Sequence, residues 1–320
     1  MVWIVFIFFI MRTMANNYGL GSRDMAKAGV FACNAAARTG AMSYSTAATV
    51  GERWQKFAEF ARSQGVKKLE SVSRELVMAY GKELAKSDLS ESYSQNLVSA
   101  VNSVMSLATK GTWHAVSPTK ECEIEKRSAI RVSTPDGLDR AQFKQVLQKM
   151  EGSGLGRQAV IADLAKNLGL RSKEASLFNA NQALQQAESS GKVRITAGTK
   201  GGRPRALAIS ATGLQSLRHA AALQGNNRNL IPTGQSWKQW RGGGLRAGRE
   251  ALKGNGIRGL HELRSAYACE RYAQITGSPA PVISGKVGDR KLDRIARETI
   301  AKELGHGRID VVAEYVGGRK

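Results

Sequence analysis

The chain changes its hydrophobic period once, and that change constrains the fold most. Lys192-Val193-Arg194-Ile195-Thr196 and Arg205-Ala206-Leu207-Ala208-Ile209 alternate apolar and polar residues, whereas the segments on either side repeat apolar residues every three or four positions. Period two belongs to a strand and period 3.6 to a helix. Between the two strands lies Ala197-Gly198-Thr199-Lys200-Gly201-Gly202-Arg203-Pro204, so the pair reads as one β-hairpin with a glycine turn. The expected fold is mainly α with a small antiparallel β-sheet.

The helical segments fall into two groups. Thr49 and Glu52 have capping-box spacing and open a helix with Trp54, Phe57, Phe60 and Ala61 on one face, ending near Gly65. Leu69, Val72, Leu76, Tyr80 and Leu84 form a second stripe, broken at Ser87-Asp88. Ser90 caps a third helix, with Tyr93, Leu97, Val101, Val104 and Leu107 inward and Gly111 at its end. These three make a small bundle. Its polar faces carry Arg53, Lys56, Arg62, Lys67, Lys68, Arg74 and Lys82, available to phosphates or simply solvated. Residues 11 to about 45 are rich in Ala, Gly, Ser and Asn without a sustained period and read as a mobile basic arm, at most a short helix. Residues 115–137, with Pro118, Pro135 and Gly137, read as a linker.

A second group begins with a helix from Asp139 and continues, past the glycines of 152–156, through Val160, Ile161, Leu164 and Leu168. After the hairpin, helices resume at Thr212, and Trp237 and Trp240 read as core residues. Residues 278–290 form a loop, and a helix over 292–304 ends at Gly305. The expected organisation is residues 1–45 as apolar run and arm, 46–114 as the helical bundle, 115–137 as linker and 138–320 as the second domain.

Charge narrows the class of partner. With 48 Lys and Arg against 26 Asp and Glu, the 320-residue chain carries a net charge of +22, which favours a polyanion, nucleic acid or an anionic membrane surface. Its 3 cysteines form no CxxC and its 4 histidines are scattered, so neither a disulfide framework nor a metal site is expected, and the cytosol suits the chain. The first ten residues are wholly apolar, but a spanning helix needs roughly 20 such residues. Nothing charged precedes the run, as a signal peptide would require. The preferred reading is a true start at Met11 or Met14, with a short membrane anchor as the alternative, and no stable membrane association is expected.

Breaking a phosphodiester without a metal requires cations for the non-bridging oxygens, a nucleophile, and a proton for the leaving 5′-oxygen. Guanidinium groups suit the first task because they stay charged and grip oxygens in pairs. Arg171, Arg264, His261, His306, Lys200 and Tyr315 together cover these tasks. His261 and Arg264, three apart, share a helix face. His306 falls at a helix boundary, and Tyr315 follows nine residues later.

Four stretches in order carry a resemblance to the tyrosine recombinase, or phage-type integrase, family. They are Gly169-Leu170-Arg171 with Glu174, Thr199-Lys200-Gly201-Gly202 in the hairpin turn, His261 with Arg264, and Leu304-Gly305-His306 with Tyr315. The resemblance covers residues 45 to 320. It implies a helical core-binding (SAM-like) domain followed by an α+β catalytic domain. It further implies that Arg171 and Arg264 clamp the scissile phosphate, that His261 assists by hydrogen bond or proton transfer, and that His306 bonds the phosphate. Lys200 protonates the leaving 5′-hydroxyl, Tyr315 forms a 3′-phosphotyrosyl bond, and Glu174 orients the Arg and His groups. The implied partner is double-stranded DNA at specific sites, bound by a homotetramer through a Holliday junction, with accessory DNA-bending or directionality proteins and no cofactor. The implied location is the cytoplasm, at the nucleoid. Integration or excision of a mobile element is the favoured biology. Alternatives are relaxation of DNA, as in type IB topoisomerases, and a non-catalytic basic DNA-binding protein on the same fold. Two departures from the family pattern stand out: an expected insertion near 276–291, and only five residues after Tyr315, a short tail for reaching a neighbouring subunit.

Overall fold

The computed structural model describes residues 16–319. The apolar run of residues 1–10 therefore lies outside the described residues. The chain divides into two compact units, Met1–Ser128 and Ala129–Lys320.

Among the described residues the first unit holds four α-helices: α1 (Met25–Arg38), α2 (Tyr44–Ser63), α3 (Arg74–Ala85) and α4 (Glu91–Ala108). Helix α1 corrects the expectation of a mobile arm. Its buried face is made of Met25, Ala28, Gly29, Ala32, Cys33, Ala36 and Ala37, side chains too small to show as a hydrophobic stripe but well suited to close helix packing. Trp54, fully buried in α2, lies against Gly29 and donates its indole N–H to the Met25 carbonyl at 3.2 Å. Helix α2 also begins earlier than expected. Ser43 caps it by accepting from Thr46 N–H, and Thr49 sits inside, returning its hydroxyl to the Ser45 carbonyl at 3.0 Å. Ser90 caps α4 as its sequence predicts. Phe57 meets Trp54 and Tyr80 with ring centroids 5.3 Å apart in each pair, and this aromatic cluster anchors the core.

The expected linker is packed rather than free. Val116, Cys122 and Ile124 are buried in the first unit, and Arg74 ties its guanidinium to the His114 and Ala115 carbonyls and to Glu121. Arg131 belongs to the second unit, where its backbone N–H donates to Ala313 O at 2.9 Å and its side chain pairs with Glu262.

In the second unit, α5 (Arg140–Gly152) and α6 (Gly156–Leu168) lead into α7 (Ser172–Leu177) and α8 (Ala180–Ser190). Strands β1 (Lys192–Ile195) and β2 (Arg205–Ala208) follow as the expected antiparallel hairpin, with Val193 opposite Leu207 and Ile195 opposite Arg205. Then come α9 (Ala211–Gln224), α10 (Trp237–Gly242), α11 (Gly244–Gly254), α12 (Leu260–Thr276), α13 (Pro281–Ser284), α14 (Arg290–Glu303) and the short α15 (Ala313–Val316). Helix α6 is the pillar: Val160, Ile161, Leu164, Ala165 and Leu168 are buried, and it packs on α5, α9 and α12. Trp240 is core, as expected, with its indole N–H on the Ser176 hydroxyl at 3.1 Å. The segment between α12 and α14 holds the one-turn α13, anchored by buried Ala280 and Pro281, and is otherwise largely exposed. No helix among the described residues is long and apolar enough to cross a membrane.

Candidate active site

The end of α6 supplies the first site residue. Gly169 adopts a left-handed conformation (φ 62°) that stops the helix, Leu170 plugs into the core, and Arg171 emerges at the start of α7. Glu174, three residues on, accepts the Arg171 backbone N–H at 2.8 Å and its Nη1 at 2.9 Å. The hairpin supplies Lys200, exposed in a short turn at its tip. The first turn of α12 supplies His261 and Arg264, the former facing the cleft and the latter 1 % exposed beneath it. Arg264 donates to the carbonyls of Gly169 and Leu304, the latter at 2.6 Å, which pins two loops to α12.

Helix α14 ends through Gly305, whose φ of 69° lets the His306 N–H turn back to Ala301 O at 2.8 Å. The imidazole of His306 then faces α15, where its Nε2 lies 3.1 Å from the Tyr315 hydroxyl. The Tyr315 ring is packed on three sides: its centroid lies 5.5 Å from the His306 ring, 5.4 Å from the His261 ring, and 5.7 Å from the Arg264 guanidinium carbon. Arg171, Lys200, His261, His306 and Tyr315 line one open cleft of about 640 Å³, together with Arg203 and Arg308. All six residues singled out in the sequence therefore meet, five in the cleft wall and Arg264 just below.

The electrostatics suit an anion. Burial, with Arg264, Arg171, Lys200 and Arg205 nearby, pushes the His306 pKa down to about 4. Partial burial and Arg264 lower that of His261 as well, although its rim stays open to water. Burial lowers Arg264 to about 10, still charged at neutral pH. Burial alone would raise Glu174, but the bonds and charge of Arg205 and Arg171 prevail and hold it below the ordinary carboxylate value. In the cleft wall Arg171, Lys200, Arg203 and Arg308 thus outnumber the single carboxylate of Glu314, with Glu174 buried behind them, and the imidazole of His306 is neutral at neutral pH.

Arg205 and Glu303 are the site neighbours that sequence reasoning missed. Arg205 is buried at 8 %, forks onto both Glu174 oxygens at 2.7 Å, and donates from Nε to the Glu303 carbonyl at 2.6 Å. A signal was present: strand alternation places Arg205 on the same face as buried Leu207, and a charge on an inward face needs a partner.

Residues 126–270, from the entry to the second unit through most of α12, match the sequence profile of the integrase family. The second unit is of the integrase family. Solved structures share the fold of this chain at low identity. A lambda integrase dimer bound to a COC′ core site matches with a TM-score of 0.56 and 14 % identity, covering 90 % of this chain and 77 % of that one. XerH recombinase bound to difH matches at 0.58 and 17 %, covering 92 % and 82 %. The Tn1549 transposon integrase in complex with transposon right end DNA matches at 0.58 and 9 %, covering 91 % and 95 %. No curated protein matches the sequence.

Proposed function

We propose that this chain is a site-specific DNA recombinase of the integrase family that cuts and rejoins strands through a 3′-phosphotyrosyl intermediate. One observation carries the reading: the Tyr315 hydroxyl lies 3.1 Å from His306 at the wall of a cleft that also holds Arg171, Lys200 and His261, with Arg264 under the Tyr315 ring. Arg171 and Arg264 stabilise the charge that develops on the non-bridging oxygens as phosphorus becomes five-coordinate. Tyr315 attacks phosphorus as its phenolic proton passes to a neighbouring imidazole, and the P–O5′ bond breaks as Lys200 delivers a proton to the departing oxygen. His261 and His306 hydrogen-bond the phosphate, and Glu174 fixes the guanidinium of Arg171 rather than reacting. The energy of the broken ester is kept in the tyrosyl bond, so a different 5′-hydroxyl can reverse the reaction.

The same reading makes the chain act on two DNA sites as a tetramer, the state in which a lambda integrase was solved on a Holliday junction. Insertion or excision of a mobile element is the biology in view, consistent with the transposon-end DNA in the Tn1549 integrase complex. The test pairs two substrates: a supercoiled plasmid carrying the DNA that flanks the coding region, and the same plasmid without it. Recombinant circles from the first plasmid alone support the proposal. Relaxation of both without recombinants points to topoisomerase-like action. Binding to both with no strand breakage points to a non-catalytic DNA-binding protein.

A further inference from the structure

Arg205 takes no part in the roles above, yet much of the cleft is tied to it. It opens β2 opposite Ile195, five residues beyond Lys200, and its side chain turns inward away from the hairpin tip. All three guanidinium nitrogens are engaged: Nη1 and Nη2 on the two oxygens of Glu174, both at 2.7 Å, and Nε on the Glu303 carbonyl at 2.6 Å. The fork fixes the plane of the carboxylate as well as its position. The same carboxylate takes two donors from Arg171 and lies 3.8 Å from Arg264 Nη1. At the other end, Glu303 closes α14 two residues before Gly305, the hinge that presents His306. The Arg205 side chain packs on that glycine, where an added Cβ would lie 3.2 Å from its Cδ.

We propose that Arg205 is a positioning residue for phosphoryl transfer: it sets the Glu174 carboxylate that orients Arg171, and it holds the helix end that presents His306. The inference rests on the recombinase reading. Without Arg205, the Glu174 carboxylate loses its principal partner and competes with the phosphate for the guanidinium groups of Arg171 and Arg264. The end of α14 also loses a carbonyl anchor. Lysine cannot substitute, because a single ammonium cannot grip both carboxylate oxygens and the Glu303 carbonyl in one plane.

The test measures covalent adduct formation on a nicked DNA substrate for wild type and Arg205→Lys, at matched DNA occupancy. A misplacement of about 1 Å in such a site lowers rates roughly a hundredfold, so Arg205→Lys is expected to lose about that factor while its DNA affinity changes little. The second arm uses DNA whose bridging 5′-oxygen at the scissile phosphate is replaced by sulfur, a leaving group that needs no proton. On it, Lys200→Ala is expected to regain cleavage and Arg205→Lys to stay slow, because the lesion lies on the phosphate side. Arg205→Lys cleaving at the wild-type rate overturns the proposal. So does recovery on the sulfur substrate, which would mean that Arg205 merely supports the hairpin. If Arg205→Lys does not fold, Arg205→Gln, which retains a donor for Glu303, is judged on the same two substrates. Wild-type protein forming no adduct on either substrate overturns the recombinase reading itself, an outcome distinct from active wild type with an equally active variant.

Discussion

The residues just beyond Tyr315 are gripped by a buried ion pair, and breaking that pair is a demanding check on the second unit. Asp293 and Arg297, one turn apart on α14, are 2 % and 3 % exposed. Arg297 donates to Asp293 at 2.7 Å and to the carbonyls of Gly317 and Gly318 at 3.0 and 3.1 Å, so it caps the helix that carries Tyr315. Arg297→Met keeps the apolar stem and removes every one of these donors. Among the described residues Asp293 then keeps the Tyr272 hydroxyl at 3.0 Å and the half-exposed Arg319 at 3.1 Å. Removing one member of a buried pair costs about 3–5 kcal/mol. In a domain of this size each kcal/mol moves Tm by about 2–4 °C, so a drop of roughly 6–20 °C is expected. Scanning calorimetry of the full chain measures it. The double variant Asp293→Leu with Arg297→Met should recover part of the loss, since no charge is then stranded. An Arg297→Met protein melting within about 1 °C of wild type would refute the argument that this pair holds the segment in place.

Two further outcomes follow from particular contacts. His306 has a folded pKa of about 4 against an ordinary 6.5, so the unfolded chain binds more protons between these values. The stability it contributes is complete above about pH 6.5 and is lost as pH falls toward 4, so the Tm difference between wild type and His306→Gln should shift across that window; a difference that stays flat contradicts the assigned environment. In the first unit, a methyl on Gly29 would sit 2.1 Å from Trp54 Nε1, so Gly29→Ala should destabilise by about 1–3 kcal/mol in urea denaturation. Unchanged stability would mean that α1 does not pack on α2 as described.

Those contacts also show why some features were legible in the sequence and others were not. The hairpin announces itself by its period, and the helix caps at Ser90 and Asp139 by residue type. The six candidate residues stand out through their spacing and their resemblance to a family, because each lies near an element boundary that glycine or a cap marks. Helix α1 escaped notice because its buried face is chiefly alanine and glycine, whose fit depends on Trp54, a residue 25 positions from Gly29 and invisible to any local window. Arg205 was hidden for a similar reason: its carboxylate partner is 31 residues away and its carbonyl partner 98. Local pattern locates the candidates for chemistry. Long-range packing decides which groups hold them.

The central claim is that Tyr315 is the nucleophile. The most direct measurement incubates the protein with a nicked substrate that loses its short 5′-hydroxyl fragment on cleavage and so traps the covalent complex. Wild type should give a denaturant-resistant protein–DNA adduct, and digestion followed by mass spectrometry should place the nucleotide on the peptide containing Tyr315. Tyr315→Phe should bind the same DNA and give no adduct. An adduct that persists in Tyr315→Phe, or one mapped to another residue, would contradict the account.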